Sequence, residues 1–295
     1  MLSFNSYVSQ PDPIREQYIE EQFEVLLEKL ITIGGKAYPR FGNVVIMAGG
    51  AGSGKGFIKD NLLGLEGFVF DVDELKKLAA ATPMIRKKVK DELGVDMKEL
   101  AANLKDPDNV YQLHTIIADY LKLDTKREKQ LFMSILASDP ERMPNIIFDV
   151  TLKDLRKLEK ITRQVSNIGY DKSNIHIVWV VNDIEVAQAQ NVKRDRTVPA
   201  EILINTHRGA SNTMFDIINM GKSLNKYMDG DIVFAFNKVG VDSNLVTSKQ
   251  GGKYISDSNY VYVKRKGQPV TSVDKLSKDL RAKVASYVPK GVEWV

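Results

Sequence analysis

Asn43–Phe57 reads NVVIMAGGAGSGKGF, an apolar run followed by five glycines and one lysine within eight positions. The β-branched residues before the glycines predict a buried strand, and the spacing of apolar residues after Gly56 predicts a helix. A strand, a glycine loop and a helix in this order are the context in which G-x-x-x-x-G-K binds phosphate. A glycine-rich hairpin turn, the alternative, needs only one or two glycines and no lysine. The stretch therefore predicts a phosphate-binding loop.

The predicted loop offers an anion three kinds of positive group. Glycines allow successive backbone N–H groups to turn toward one point, and the following helix adds the positive end of its dipole. Lys55 adds a full charge that can reach the β- and γ-phosphates of ATP or GTP. The residues expected to contact the nucleotide are the whole motif: Gly49, Gly50, Ala51, Gly52, Ser53, Gly54, Lys55 and Gly56.

Gly56 departs from the usual motif, in which Ser or Thr supplies a hydroxyl to Mg²⁺ at this position. Phe57 offers no substitute, although Ser53 lies inside the loop. Carboxylates elsewhere would have to hold the metal, and Mg²⁺ commonly binds them through water.

The composition limits the class of protein. With 295 residues, 43% of them hydrophobic, the chain can form one large α/β domain, alone or with appendages. A net charge of +4 gives no strong electrostatic reason to expect nucleic acid as a partner. The absence of cysteine excludes disulfides and thiolate metal sites and fits the cytoplasm. We expect no secretory signal, because Met1–Arg15 lacks a basic region followed by an apolar core. We expect no membrane partner, because no apolar run approaches ~20 residues.

Two further predicted strands end in carboxylates, Asp71 and Asp73 on the first and Asp149 on the second. The carboxyl ends of strands in an open parallel sheet line the ligand crevice. On an extended backbone Asp71 and Asp73 would share a face. One of them would accept a proton from an attacking hydroxyl, and the other would be structural, as a helix cap near Glu74, or linked to metal. Asp149 would lie beside the loop and hold Mg²⁺ through water.

The other polar candidates near these strands suggest structural roles. Thr151 is expected to cap a helix that starts at Leu152, with Asp154 in its first turn. The three histidines show no metal-binding pattern. His176, at the start of a predicted strand, is expected to be structural, and His114 and His207 are expected to lie on helices with no partner pattern.

Residues 191–198 are predicted to form a lid. Arg194 and Arg196 precede Pro199, which is expected to begin a helix. On an extended segment both guanidinium groups would project to one side, where they could stabilise a transferring phosphoryl group. A charged surface connection is the alternative, and the phosphate loop upstream favours the lid.

The predicted fold is α/β, a mainly parallel five-stranded sheet between helices. Residues 1–40 are expected to form an arm and an amphipathic N-terminal helix over Pro13–Ile33, which would brace the core. The core would span 41–240, with a helical insertion at about 74–143 over the crevice. Residues 241–295 give no chemical signal.

In their order these motifs resemble the P-loop kinases related to zeta toxins and to the kinase domain of polynucleotide 5'-kinases. The resemblance covers roughly residues 40–240. It rests on five segments: Gly49-x-x-x-x-Gly54-Lys55, Phe70-Asp71-Val72-Asp73, Ile147–Lys153, Arg194-x-Arg196-Thr-Val-Pro and Phe234-Ala-Phe-Asn237.

The resemblance implies transfer of a γ-phosphoryl group from ATP or GTP, with Mg²⁺, to a hydroxyl of a nucleotide sugar, a nucleotide or a nucleic acid. It implies that Asp73 is the general base and that Asp149 and Thr151 lie near metal and acceptor. Lys153 stands where zeta toxins often carry an acceptor-binding arginine, and Lys76 replaces an arginine of polynucleotide kinases. Lysine lacks the bidentate fork of arginine.

Two other classes of function remain open. The Asp71-x-Asp73 pair also resembles haloacid-dehalogenase-type phosphatases, with Asp71 as nucleophile, but those continue with Gly-Thr where this chain has Glu74 and Leu75. They also carry the motif on the first strand, with no phosphate loop before it. Alternatively, Gly56 marks a nucleotide-binding module without turnover. In that case the N-terminal helix and the C-terminal segment would dock a protein partner.

Overall fold

A six-stranded, mostly parallel sheet forms the centre of the described structure. The computed structural model describes residues 30–33, 36–39, 41–64, 67–136, 139, 142–193, 197–238, 241–242, 245–247, 253–255 and 260–294. The strands in chain order are β1 (Leu30–Ile33), β2 (Lys36–Pro39), β3 (Val44–Ala48), β4 (Leu63–Gly64), β5 (Phe68–Asp71), β6 (Ile146–Asp149), β7 (Ile175–Val181), β8 (Ile232–Phe236), β9 (Leu245–Thr247), β10 (Lys253–Ile255) and β11 (Tyr260–Lys264).

The order in the central sheet is β11-β8-β7-β3-β6-β5. Strands β5, β6, β3, β7 and β8 are parallel, as predicted, and β11 adds a sixth, antiparallel strand beside β8. The prediction of five strands was therefore one strand short. Smaller sheets join β2, β1 and β4, and pair β9 with β10. Every residue of β3, β7 and β8 is buried, as expected for parallel strands covered on both faces.

The helices lie between these strands. They are α1 (Lys55–Leu62), α2 (Val72–Ala81), α3 (Pro83–Leu93), α4 (Met97–Ala102), α5 (Pro107–His114), α6 (Leu123–Leu136), α7 (Leu155–Asn167), α8 (Ile184–Lys193), α9 (Ala200–Asn219) and α10 (Lys278–Tyr287). Shorter helical turns are Thr115–Tyr120, Lys172–Asn174, Gly221–Lys226 and Val273–Lys275. Among the described helices, none has the length and apolar character needed to cross a membrane.

Alternation along β3 places apolar side chains on both faces of the sheet. Val44, Ile46 and Ala48 join a large cluster on one face, and Val45 and Met47 join a second cluster on the other. A third cluster lies among the helices between β5 and β6. Helices fill most of residues 72–136, as predicted for the insertion.

Part of the predicted N-terminal helix is a strand instead. Leu30–Ile33 forms β1 and pairs antiparallel with Lys36–Pro39, so the predicted helix is wrong for these four residues. Two β-branched isoleucines and a threonine followed by a Gly-Gly pair favour a hairpin over a helix. The rest of that prediction, residues 13–29, lies outside the described residues.

The C-terminal part of the chain completes the core. Strand β11 extends the central sheet, and the Trp294 ring stacks on Trp179 of β7 with 5.5 Å between ring centroids. The Trp294 indole N–H also donates to the Ser211 carbonyl oxygen at 2.9 Å. Residues 260–294, for which the sequence indicated no role, therefore contribute to packing.

Candidate active site

The predicted phosphate loop lies at the carboxyl end of β3 and leads into α1. Gly54 is the N-cap of α1, with a φ of 90°, and no described side chain caps this helix end. The first N–H groups of a helix have no partner within the helix. The uncapped N-terminus of α1 is therefore suited to an anion.

Two strand ends hold the loop from the sheet side. At the end of β8, the Asn237 side-chain amide donates to the Ser53 carbonyl at 2.8 Å. At the end of β7, the Asn182 amide donates to the Gly52 carbonyl at 3.4 Å. Ser53 itself is fully buried. Its hydroxyl therefore lies inside the loop and not at its surface.

Helix α9 holds the loop from another side. The Ala51 N–H donates to Thr206 Oγ1 at 3.0 Å, and His207 Nε2 lies 2.9 Å from the Ala51 carbonyl oxygen. Burial lowers the pKa of His207 to about 4, so the ring is neutral at neutral pH. Thr206 and Asn182 were not predicted from the sequence, and His207 was expected only to lie on a helix with no partner pattern. A helix that directly follows the predicted lid is the signal that could have pointed to Thr206 and His207.

Lys55 connects the loop to a strand-end carboxylate. Its Nζ donates to the Gly49 carbonyl at 3.0 Å and lies 3.6 Å from Asp149 Oδ1. The side chains of Lys55 and Asp149 are 15% and 20% exposed, so water screens this pair only in part. The lysine therefore stands between the loop and the end of β6.

The two carboxylates predicted to hold metal lie on adjacent strands. Asp71 of β5 and Asp149 of β6 are register partners in the parallel pair, and Asp149 is also the partner of Met47 in β3. Carboxylate oxygens are ligands that Mg²⁺ prefers, with water completing its shell. The described residues contain no group of three or more possible metal ligands of the His, Cys, Asp and Glu types. This donor set suits Mg²⁺ that retains several waters.

Asp73 does not lie on an extended backbone. Helix α2 begins at Val72, so Asp73 is in its first turn, and the prediction that it shares a strand face with Asp71 is wrong. Acidic residues favour the first turn of a helix, which explains the early start. The side chain of Asp73 lies outside the described part. Lys76, on the same helix, is half-buried.

Thr151 is not the cap of the helix after β6. Leu152 adopts a left-handed conformation with φ of 52°, which ends any helical path from that point. Helix α7 therefore begins only at Leu155, and the Asp154 side chain caps it by accepting from the Arg156 N–H at 2.9 Å. The Thr151 capping prediction is wrong.

Thr151 and Lys153 instead border the loop and helix α9. The Thr151 carbonyl accepts from the Gly49 N–H at 3.2 Å. Lys153 is exposed and packs closely on α9. A Cβ added at Gly209 would lie 2.6 Å from the Cβ of Lys153. Both predicted acceptor-binding residues of this segment therefore lie close to the loop or to the helix that holds it.

The two arginines of the predicted lid, Arg194 and Arg196, lie outside the described residues. The residues on either side are held in place. Asn191 donates to the Val198 carbonyl at 2.7 Å and accepts from the Val198 N–H at 3.0 Å. The Thr197 N–H donates to the carbonyl of Leu104, in the helical insertion, at 2.9 Å.

Neither a protein-family model nor a curated protein sequence matches this chain. Solved structures do match it. The chain is similar to the AvrRxo1-ORF1:ORF2 complex with ATP, at a TM-score of 0.43 and 12% identity over 85% of this chain and 66% of that chain. The same complex with sulphate ions gives a TM-score of 0.43 and 12% identity over 86% and 66%. A structure from the PezAT toxin–antitoxin system of Streptococcus pneumoniae gives 0.43 and 11% over 78% and 80%.

The chain spans 66% of the length of the AvrRxo1 chains that it matches. At these scores the neighbours carry no conclusion about chemistry, which has to come from the residues of this chain.

Proposed function

We propose that this chain is a P-loop kinase that transfers the γ-phosphoryl group of ATP or GTP to a hydroxyl. The observation that carries the proposal is the position of Lys55, the first residue of the uncapped helix α1, whose ammonium lies at the loop and 3.6 Å from Asp149. A helix N-terminus and a lysine bind phosphates, and strand-end carboxylates complete the crevice of such enzymes.

In the proposed reaction, the acceptor oxygen attacks the γ-phosphorus and forms a new P–O bond. The bond between the γ-phosphorus and the β–γ bridging oxygen breaks, and the nucleoside diphosphate leaves. The hydroxyl proton passes to the carboxylate of Asp73. Lys55 and the loop N–H groups bind the β- and γ-phosphates, and Arg194 and Arg196 stabilise the charge on the transferring group.

Asp149 and Asp71 are the residues that would hold Mg²⁺, which when bound neutralises charge on the phosphates. Gly56 contributes no hydroxyl to it. The Asp149 carboxylate also lies 3.6 Å from the Lys55 ammonium and helps to orient it at the loop.

The proposed acceptor is a hydroxyl of a nucleotide sugar, a nucleotide or a nucleic acid. Lys76, Thr151 and Lys153 would contact it. Lys153 is exposed beside α9, and no salt bridge of Lys153 is seen among the described residues. Its ammonium is therefore available to an anionic acceptor. A protein partner is a further part of this proposal.

Gly56 favours a second candidate, a nucleotide-binding module without turnover. Such a module would keep the loop and Lys55 but bind nucleotide without dependence on Mg²⁺. The two candidates make different predictions for the same protein, so one set of measurements separates them.

The test combines nucleotide titration with transfer of labelled γ-phosphate to a panel of hydroxyl acceptors. Lys55→Ala should lose nucleotide affinity and transfer together. Asp73→Asn should keep nucleotide affinity and lose about 10²- to 10⁴-fold in transfer, the usual contribution of a general base. Lys59→Ala, on the same helix and 3.6 Å from Asp60, is the matched control and should behave as the parent.

Three results would count against these assignments. Unchanged transfer in Asp73→Asn rules out the base assignment. A parent that binds nucleotide without Mg²⁺ dependence and modifies no acceptor is the module rather than the kinase. A parent that binds neither ATP nor GTP contradicts both candidates.

A further inference from the structure

Two successive peptide groups of the phosphate loop, those on either side of the Ala51 Cα, are each held by one of two neighbouring residues of α9. The Ala51 N–H donates to Thr206 Oγ1 at 3.0 Å, and the Ala51 carbonyl lies 2.9 Å from His207 Nε2. Thr206 and His207 are separated from Ala51 by more than 150 positions in the chain. The contact is therefore made by the tertiary fold and not by local structure.

The direction of each hydrogen bond follows from the groups involved. The Thr206 hydroxyl donates its single proton to the Leu203 carbonyl at 2.7 Å, which leaves its lone pairs for the Ala51 N–H. A carbonyl can only accept, so His207 must carry a proton on Nε2. A neutral ring suffices for this role, in agreement with its burial.

The fit around His207 is close. A Cβ at Gly50 would collide with the imidazole ring, so the ring lies directly against the loop backbone. His207 is buried, with 6% exposure. Its ring therefore blocks any shift of Gly50 and Ala51 toward α9.

We propose that Thr206 and His207 are positioning residues that set the conformation of the phosphate loop before the nucleotide arrives. They fix the two peptide groups that flank the Ala51 Cα, and through them the N–H groups that follow in the loop. This inference rests on the proposed function, because the ligand of the loop is the nucleoside triphosphate of that proposal.

The same helix connects the loop to the predicted lid. Pro199 is the N-cap of α9, and Thr206 lies about two turns further along the helix. The lid segment is anchored just before this cap by the paired hydrogen bonds between Asn191 and Val198. Helix α9 therefore contacts the loop and directly follows Val198, the last residue of the predicted lid.

The test measures ATP and GTP affinity of the full chain by isothermal titration at a temperature where circular dichroism shows each variant to be folded. Thr206→Val keeps the shape and removes the acceptor, and His207→Phe keeps a ring and removes the donor. Each should weaken nucleotide binding by about tenfold or more, the effect of one lost hydrogen bond of ~1.4 kcal/mol. The KM for nucleotide should rise by a similar factor, while kcat at saturating nucleotide changes less.

Conservative variants separate positioning from general stability. Thr206→Ser retains the hydroxyl, and His207→Gln retains an N–H donor near the Nε2 position, so both should recover most of the affinity. If His207→Phe does not fold, the Thr206→Val and Thr206→Ser pair decides alone, because both changes are small and Thr206 is half-buried.

The outcomes distinguish this inference from the proposed function. If the parent binds nucleotide and the nucleotide affinity of Thr206→Val lies within twofold of the parent's, the inference is overturned and the proposed function stays intact. Equal losses in Thr206→Val and Thr206→Ser also overturn it. A parent that binds neither ATP nor GTP overturns the proposed function, and the inference with it.

Discussion

The side-chain amide of Asn237 donates a 2.8 Å hydrogen bond to the Ser53 carbonyl, so the end of β8 holds the phosphate loop directly. Gly54 lies against the same amide, and a Cβ at this position would collide with Nδ2. Its φ of 90° also disfavours any residue with a side chain. Gly56, two residues later, has open space where its Cβ would lie.

We expect Gly54→Ala to damage both the fold and the site. The substitution adds a steric clash to a strained φ, so the free energy of unfolding should fall by ~1 kcal/mol or more, and nucleotide affinity should fall at least about tenfold. Gly56→Ala is the matched control and should stay near the parent in both. Urea unfolding and nucleotide titration measure these quantities. Equal behaviour of the two variants would contradict the role assigned to Asn237 and Gly54.

Gly56→Ser should restore the hydroxyl that the usual motif supplies to Mg²⁺. Since the Cβ has open space, the free energy of unfolding should stay within ~0.5 kcal/mol of the parent. In the presence of Mg²⁺, the nucleotide affinity of Gly56→Ser should exceed that of the parent. When a chelator removes Mg²⁺, the two proteins should have the same nucleotide affinity. Gly56→Ala lacks the hydroxyl and serves as the control. A gain that persists in the chelator would show that the hydroxyl acts independently of metal.

Much of this site was predictable because its signals are local. The apolar run and glycines of 43–57 predict β3, the loop and α1, and the aspartates after two other apolar runs predict carboxylates at strand ends. Parallel pairing then brings Asp71 and Asp149 into register. Local patterns also failed in places, since the left-handed Leu152 that delays α7 has no sequence signature.

The contacts between distant parts of the chain were not predictable. Thr206 and His207 lie on an ordinary helix, and their contact with Ala51 depends on how α9 packs against the loop. The stacking of Trp294 on Trp179 is similar, because it depends on the path of the chain after β11. Residue pairs that are far apart in the chain leave no regular spacing in a single sequence, so the sequence carries little information on their contacts.

His207 should make the protein less stable in mild acid. Its folded pKa of about 4 lies below the usual value of 6.5, so the unfolded chain binds a proton that the folded chain lacks between these values. The free energy of unfolding should therefore fall as the pH drops from about 6.5 to about 4, by at most ~1.4 kcal/mol per pH unit. Above about pH 6.5 the stabilising contribution of the neutral His207 ring is fully present. Burial of the neutral ring is the main cause.

The measurement compares urea unfolding of the parent and His207→Phe at about pH 7 and about pH 5. The parent should lose ~1–2 kcal/mol more than the variant between these conditions. The carboxylates titrate in both proteins, so their contribution cancels in the difference. Equal losses would mean that His207 is not buried as a neutral ring.

Trp294→Ala should destabilise the whole core, although it lies near the end of the described chain. The ring is 4% exposed and contacts Trp179, Phe215 and Phe234. Loss of a buried tryptophan should lower the free energy of unfolding by ~3–5 kcal/mol. Tyr111→Ala removes an aromatic ring that is 57% exposed, and it should cost less than ~0.5 kcal/mol. Similar costs for the two variants would show that residues 260–294 do not stabilise the core.

The predicted lid gives the most direct test of the proposed mechanism. Residues 191–198 begin and end at the paired hydrogen bonds of Asn191 and Val198, directly before α9, which also holds the loop. The proposed mechanism assigns Arg194 and Arg196, which lie between these two ends in the sequence, to the transferring phosphoryl group. An arginine in that role contributes ~10³-fold or more in rate.

Arg194→Ala should therefore lower kcat by ~10³-fold or more while changing nucleotide affinity much less, because the guanidinium acts mainly in the transition state. Arg196→Ala should show whether the second arginine shares the role. Arg208→Ala, an exposed arginine on α9 that contacts Asn205 at 3.4 Å, is the matched control and should keep full turnover. Single-turnover transfer of γ-phosphate measures the chemical step. If both lid variants stay within about threefold of the parent, far short of that contribution, residues 191–198 are a surface connection and another cation must meet the developing charge.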